Sequence, residues 1–390
     1  MPVVAVVTAD SATASRPRAG DVPPWLPPQP LAVALVAIAV LLAWAALEYA
    51  RTLAAVGAMG SDFAQYYVAA TLTLAHGWAA PYDVARFMTA LHAQTNARDA
   101  YANLPAATVL AMPLTRLPLG AAYAIWNTLL VGGFAAACWA AAPGRGWERA
   151  LQIMASLAGF EVLSAIGLGQ IGLAVGGLLV LHWWLLRGGR PILAGIAAGL
   201  AFVKPQNVFL VPLALLLAGR VAAAFACVAT AAGVGVACLA ALGPDGVRAY
   251  LQTVSFEMQN FPAGRFTVAA TLGGAVPVAA LAAVPLTLTA LAALRSRGRG
   301  PERPAVAGVL GSQLATPYLN GGDLALLIPC AWLTLRAGPP RWLPWVAVGA
   351  SFAPFLQVEP RVSVFGLMLV WLAALALLRL RAAPATGTGA

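Results

Sequence analysis

The chain has 390 residues, 61% of them hydrophobic and only 9% charged, with a mean hydropathy of +0.82 and a formal net charge of +10. A soluble domain carries about 25% charged residues, so a water-facing surface is excluded, and the positive charge is read loop by loop rather than as a nucleic-acid footprint. At about 20 mainly apolar residues per bilayer crossing, the length holds roughly ten to twelve helices and little else, which predicts a single all-α polytopic membrane bundle.

The first 30 residues lack the basic start and cleavable apolar core of a signal peptide and read as a disordered tail ending in the Pro-rich PPWLPPQP. Apolar runs then predict crossings at Leu31 to Ala50, Leu119 to Ala142, Ala150 to Ile166, Ile171 to Leu186, Pro191 to Val203 and Val208 to Gly219. Further runs follow at Val221 to Leu242, Phe266 to Leu294, Ala305 to Ala315, Leu324 to Leu335, Trp342 to Leu356 and Val362 to Leu378, so the membrane domain occupies 31–380 and a short tail occupies 381–390. Between the first two runs, SDFAQYYVAATLTLAHGWAAPYD and VARFMTALHAQTNARD space apolar residues as amphipathic helices lying in the membrane interface. Cys138, Cys227, Cys238 and Cys330 all sit inside apolar runs without CxxC spacing, as packing residues do.

Charge sorts the two faces. With a cytoplasmic N-terminus, fifteen of the 23 cations fall in inside loops, including Arg295, Arg297, Arg299 and Arg303. The acids Asp62, Asp83, Asp99, Asp245, Glu257, Asp323 and Glu359 fall on the other face. This predicts a plasma-membrane protein with both termini cytoplasmic and two larger outer loops, 51–118 and 243–265, as the place for a site.

Within those outer segments a few residues stand out. A carboxylate at the hydrocarbon boundary is costly, which makes Asp62 a functional candidate; the alternative is a helix N-cap supplied by Ser61 or Asp62. Lys204, the only lysine, lies in FVKPQNVF between apolar runs, where it either meets an anion such as a phosphate or snorkels to the interface. Gln170 sits in the Gly-rich break GLGQIG, which is equally a plain tight turn. TPYLNGGDLALL interrupts the apolar pattern with Tyr318, Asn320 and Asp323, and Asp323 is also placed to cap a helix. His76, His92 and His182 have no ligand spacing, so no metal is expected.

Taken in order, these segments resemble glycosyltransferase family 87, a group of GT-C-fold membrane enzymes that use polyprenyl-phosphate sugars. The resemblance rests on SDFAQYYVAATLTLAHGWAAPYD, YANLPAATVLAMPLTRLPLGAAYAIWN, GLGQIGLAVGGLLVL, RPILAGIAAGLAFVKPQ and ATPYLNGGDLALL. YANLP stands where the family more usually has a Tyr-x-Tyr-Pro-Pro sequence. The resemblance implies transfer of a hexose or pentose, mannose favoured, from a polyprenyl-phosphate sugar to a lipid or glycan acceptor at the outer face. It implies an inverting displacement with Asp62 as base, Lys204 and Arg265 at the donor phosphate, and Tyr66, Gln170, Tyr318, Asn320 and Asp323 at sugar or acceptor hydroxyls. The lipid-linked sugar is a co-substrate and no further cofactor is expected. Two other readings stay open: a transporter or lipid or glycan flippase, which also needs polar groups in broken helices, and a non-catalytic scaffold of the cell envelope.

Overall fold

A computed structural model describes Leu47, Arg51 and residues 60–97, 99–260, 278–352 and 360–378. The expected first crossing, both tails and Arg265 lie outside the described residues, apart from Leu47. Among the described residues the fold is an all-α bundle. A first group comprises α1 (Ser61–His76), α2 (Val84–His92) and α3 (Pro105–Ala111), followed by the long α4 (Leu119–Ala141). Next come α5 (Gly146–Leu157), α6 (Phe160–Leu168), α7 (Gly172–Arg187), α8 (Pro191–Leu200), α9 (Val211–Leu217) and α10 (Val221–Asn260). The chain closes with α11 (Val278–Leu294), α12 (Glu302–Ala315), α13 (Leu327–Arg336), α14 (Leu343–Phe352) and α15 (Pro360–Leu377).

The dozen expected crossings resolve into fewer long helices. Among the described residues only α4 and α10 are each long and apolar enough to cross a bilayer, and α5 with α6 passes together while bending by 58°. Gly172–Arg187, Pro191–Val203, Ala282–Leu294 and Val364–Leu377 are apolar but shorter. Glycine and proline cause the difference. The expected run Ala150 to Ile166 breaks at Gly159, the N-cap of α6, and α8 gives way to 3-10 turns at Ala201–Val203 and Pro205–Asn207 around Lys204. In α10, Gly243 at φ 64 and ψ 176 with Pro244 after it forms a kink, so most of the expected second outer loop is a helical arm running on to Asn260.

Two apolar cores divide the bundle. One gathers α7 to α9, the first part of α10 and α11 to α15; the other is built on α1 to α4 with α6. Helix α1 belongs inside the second core rather than along a surface: Phe63, Ala64, Tyr66, Ala69 and Ala70 are each at most 2% exposed. Rings of Phe63, Tyr66 and Trp126 pack at centroid distances of 5.3 to 5.8 Å, locking α1 onto α4. Val203, just before Lys204, packs against both cores, so the break between the 3-10 turns lies at their seam.

Helices α8 and α10 approach through small residues. A Cβ on Gly195 would lie 2.4 Å from the Ala223 carbonyl oxygen, and one on Gly199 2.7 Å from that of Cys227. Gly199→Ala is therefore expected to cost about 1–3 kcal/mol through forced separation of the two helices, read as a lowered unfolding temperature in detergent. Gly133→Ala, whose Cβ would meet nothing within 4 Å, is expected to be neutral or mildly stabilising.

Candidate active site

A cavity of about 720 Å³ opens where the two cores meet. Its walls come from the start of α1, the segment 99–104, the turn after α6, the 3-10 turns around Lys204, the arm of α10 beyond its kink, and the segment 317–321. Asp62, Tyr66, Gln170, Lys204, Tyr318 and Asn320, all predicted from sequence, line this one space.

Asp62 is not the cap of its helix. The N-cap is Gly60 in the left-handed region at φ 72, without a side-chain cap, and Asp62 stands inside the first turn, partly exposed to the cavity. Gly60 suits this place because its N–H donates to the Gly167 carbonyl at 2.8 Å while the Tyr123 ring lies 3.3 Å from where a Cβ would sit. Burial pushes the Asp62 carboxyl up to about 6; the Lys204 charge and the Gln170 amide pull it back in part, and Asp99 and Asp323 add to the rise.

Gln170 is held by backbone geometry. Helix α6 ends with Gly169 at φ 73, the Gly169 N–H donating to Ile166 and the Gln170 N–H to Ala165, a Schellman closure. The carbonyls of that broken end are also met from α4: Tyr123 Oη donates to Ile166 and Gly167, Asn127 Nδ2 to Ile166, and Trp126 Nε1 to Gly169. Such side chains are what allow a helix to break at membrane depth. The Gln170 side chain is 1% exposed, lies beside Asp62, and neither of its polar atoms has a partner at hydrogen-bonding geometry. Beyond its pull on the Asp62 carboxyl, a buried amide with two donors and two acceptor positions keeps capacity for a ligand hydroxyl.

Lys204 meets an anion of the protein itself. Pro205 excludes the helical conformation from the residue before it, and Lys204 sits at φ −124, ψ 79 between the two 3-10 turns. Its Nζ donates to Asp323 Oδ1 at 2.6 Å, with side chains 6% and 0% exposed. The same oxygen accepts from Asn207 Nδ2 at 3.0 Å, and Asp323 Oδ2 accepts from the Asn320 N–H at 3.0 Å in a capping box. Gln313 Nε2 donates to the Asp323 carbonyl at 2.8 Å. The cap expected of Asp323 falls instead to Asn320, with Asp323 three positions on as the other half of the capping box, and Asp323 stands behind Lys204 rather than in the cavity wall.

Two further carboxylates line the cavity. Asp99 accepts from Gln65 Nε2 at 3.4 Å and is raised above its ordinary value by burial. Glu257, on the arm of α10, accepts the Ala100 N–H at 3.0 Å across 157 positions of sequence. Sequence reasoning placed both on the outer face but not in the site. Their only signal was that sorting, since the kink at Gly243 and the hydrogen bond from the Ala100 N–H to Glu257 are features of the tertiary structure. Among the described residues no group of three His, Cys, Asp or Glu is arranged to hold a metal ion.

The profile of glycosyltransferase family 87 matches residues 101–317, more than half of the chain. No curated protein and no solved structure matches.

Removing Lys204 alone leaves Asp323 buried without its cation, so Lys204→Gln is expected to lose about 3–5 kcal/mol of stability. The double variant Lys204→Gln with Asp323→Asn, which removes both charges, should recover a large part of that loss in thermal unfolding. Gly322→Ala places a Cβ 2.2 Å from Gln170 Oε1 and 3.3 Å from the Ala165 backbone, so it should displace the amide while costing far less stability than loss of Lys204.

Proposed function

We propose, from the premise that the chain belongs to glycosyltransferase family 87 and is a membrane glycosyltransferase, that its donor is a polyprenyl-phosphate sugar, with mannose the favoured sugar. The acceptor is a lipid or glycan hydroxyl, and transfer takes place at the outer face of the plasma membrane. The observation that carries this reading is the shared cavity of Asp62, Lys204 and the buried Gln170 amide at the seam of two apolar cores.

The chemistry follows from those groups. Asp62 takes the proton of the acceptor hydroxyl as its oxygen attacks the anomeric carbon. The bond from that carbon to the phosphate oxygen breaks, and polyprenyl phosphate leaves from the opposite side, so the anomeric configuration inverts. A base works best with a pKa near the working pH, and burial brings the Asp62 carboxyl to about 6, from 3.8. Lys204 supplies positive charge for the leaving phosphate, and the buried Asp323 and Asn207 fix where that charge stands. Gln170, Tyr66, Tyr318 and Asn320 offer amide and phenol groups to sugar or acceptor hydroxyls; Asp323 acts through Lys204. Arg265 is a second candidate for the phosphate on its sequence position alone.

Membranes containing the chain are incubated with a panel of labelled polyprenyl-phosphate sugars, and one sugar is expected in a new glycosidic bond. Asp62→Asn should accumulate normally and transfer 10²–10⁴-fold more slowly, the usual contribution of a positioned base. Transfer that persists in this variant removes Asp62 as the base; movement of intact lipid-linked sugar without a new bond favours a flippase. Because the base must be ionised, the wild-type rate should fall as pH drops through about 6 and level off above it. The same raised value means that the buried charge weakens the fold above that pH. Asp62→Asn should therefore unfold at a higher temperature than wild type at pH 8, and the gain should vanish near pH 4.

A further inference from the structure

At the end of α12 remote from the active-site cavity, Arg295, Arg299 and Arg303 surround a second cavity of about 250 Å³, closed by Leu377 and Leu378. Pro317 and Tyr318, just beyond the far end of this 14-residue helix, line the first cavity, so about 20 Å of helix separates the two.

Part of the cluster has an internal duty. Arg295 Nη1 donates to the carbonyls of Ala376 at 2.6 Å and Leu377 at 2.8 Å. Arg303 Nη2 donates to those of Leu375 and Leu378. One terminal nitrogen from each arginine thus caps the carbonyl end of α15. The rest is unspent. Arg303 is 4% exposed, and its Nε has no hydrogen-bond partner. The Arg299 side chain makes no hydrogen bond or ion pair among the described residues; only its backbone is engaged, the N–H donating to the Ser296 carbonyl and the carbonyl accepting from Arg220 Nη2. No carboxylate among the described residues lines the cavity, and neighbouring Glu302 turns away to Trp183 Nε1 and Arg187.

Three guanidinium groups around one small space, without an acid, leave repulsion and a buried donor that an anion would relieve. The planar N–H fork of arginine fits a phosphate. The position selects its source. The cavity lies at the ends of the apolar helices α11 and α15, beside Leu294 and Leu377, which are 40% and 57% exposed. Val284 and Leu286 on α11, and Leu369 and Val370 on α15, continue that exposed apolar surface away from the arginines.

We propose that Arg295, Arg299 and Arg303 form a binding site for the phosphate of an anionic membrane lipid, whose acyl chains lie along α11 and α15. The site is separate from sugar transfer and does not depend on that reading. Basic pockets between membrane helices bind lipid headgroups on the same physical grounds, attraction of a diffuse anionic surface sharpened by a shaped cavity.

The full chain is purified into nanodiscs of phosphatidylcholine with a minor fraction of phosphatidylglycerol, and retained lipid is counted by native mass spectrometry. Wild type is expected to retain phosphatidylglycerol in preference to phosphatidylcholine, and Arg299→Gln to hold it roughly tenfold more weakly, as loss of one charge-assisted contact implies. Since the Arg299 side chain supports no other described contact, unfolding in pure phosphatidylcholine should match wild type. Arg299→Lys, which keeps the charge without the fork, should bind between the two and keeps the test open if the glutamine variant fails to fold. Equal retention of the two lipids, or retention unchanged in both variants, overturns the proposal. Thermal protection by inorganic phosphate alone equal to that by phosphatidylglycerol overturns the lipid as the source.

Discussion

The buried pair of Lys204 and Asp323 is the interaction on which the rest of the site depends. Two charges removed from water lose solvation that their mutual attraction alone does not return, so such a pair persists only when further hydrogen bonds complete it. Asn207, the Asn320 N–H and Gln313 supply those bonds to Asp323, tying together the break after α8, the end of α12 and the turn before α13. The gain is position rather than net stability: the single lysine is fixed at the seam of the two cores, in the wall of a cavity that also holds Asp62.

The seam exists because the helices break. A continuous helix satisfies its own backbone but offers no polar groups to a ligand; a broken one exposes carbonyls that lipid cannot satisfy. Here α4 supplies the missing donors at a spacing of one helical turn, Tyr123, Trp126 and Asn127, all facing the end of α6. Glycine then lets the parts close together. Gly169 accepts the left-handed conformation that aims Gln170, and Gly322 leaves the space its amide occupies.

Among the described residues, the cavity is an acidic place with one guarded cation. Asp62, Asp99 and Glu257 share it with Lys204, whose charge is already partnered. Burial, with Asp99 and Asp323, raises the Asp62 carboxyl to about 6, while lysine and the amide keep it from rising further. A group so balanced exchanges a proton readily, which neither a solvent-exposed carboxylate nor a fully sequestered one does at the same pH.

Composition determined the membrane class and the all-α fold, because a chain with so few charges has no soluble solution and lipid demands internally bonded backbone. Local punctuation also carried far: Pro205, the Gly-rich GLGQIG and the polar interruption in TPYLNGGDLALL mark breaks that the structure contains. What a linear reading does not hold is which breaks meet. Lys204 resembled a cation in search of a ligand because its partner is 119 positions away, and Glu257 resembled a loop acid because its hydrogen bond reaches back to Ala100. The role of Asp62 as a cap stayed open in sequence, since Ser61 and Asp62 are both good caps; only the close approach of Gly60 to Gly167 moved the helix start forward and turned the carboxylate inward. The sequence by itself thus determined which residues are too costly to lie in lipid unused. Tertiary structure decided which of them pair, which stay unpaired and which face the cavity, because those outcomes depend on contacts between segments that are far apart along the chain.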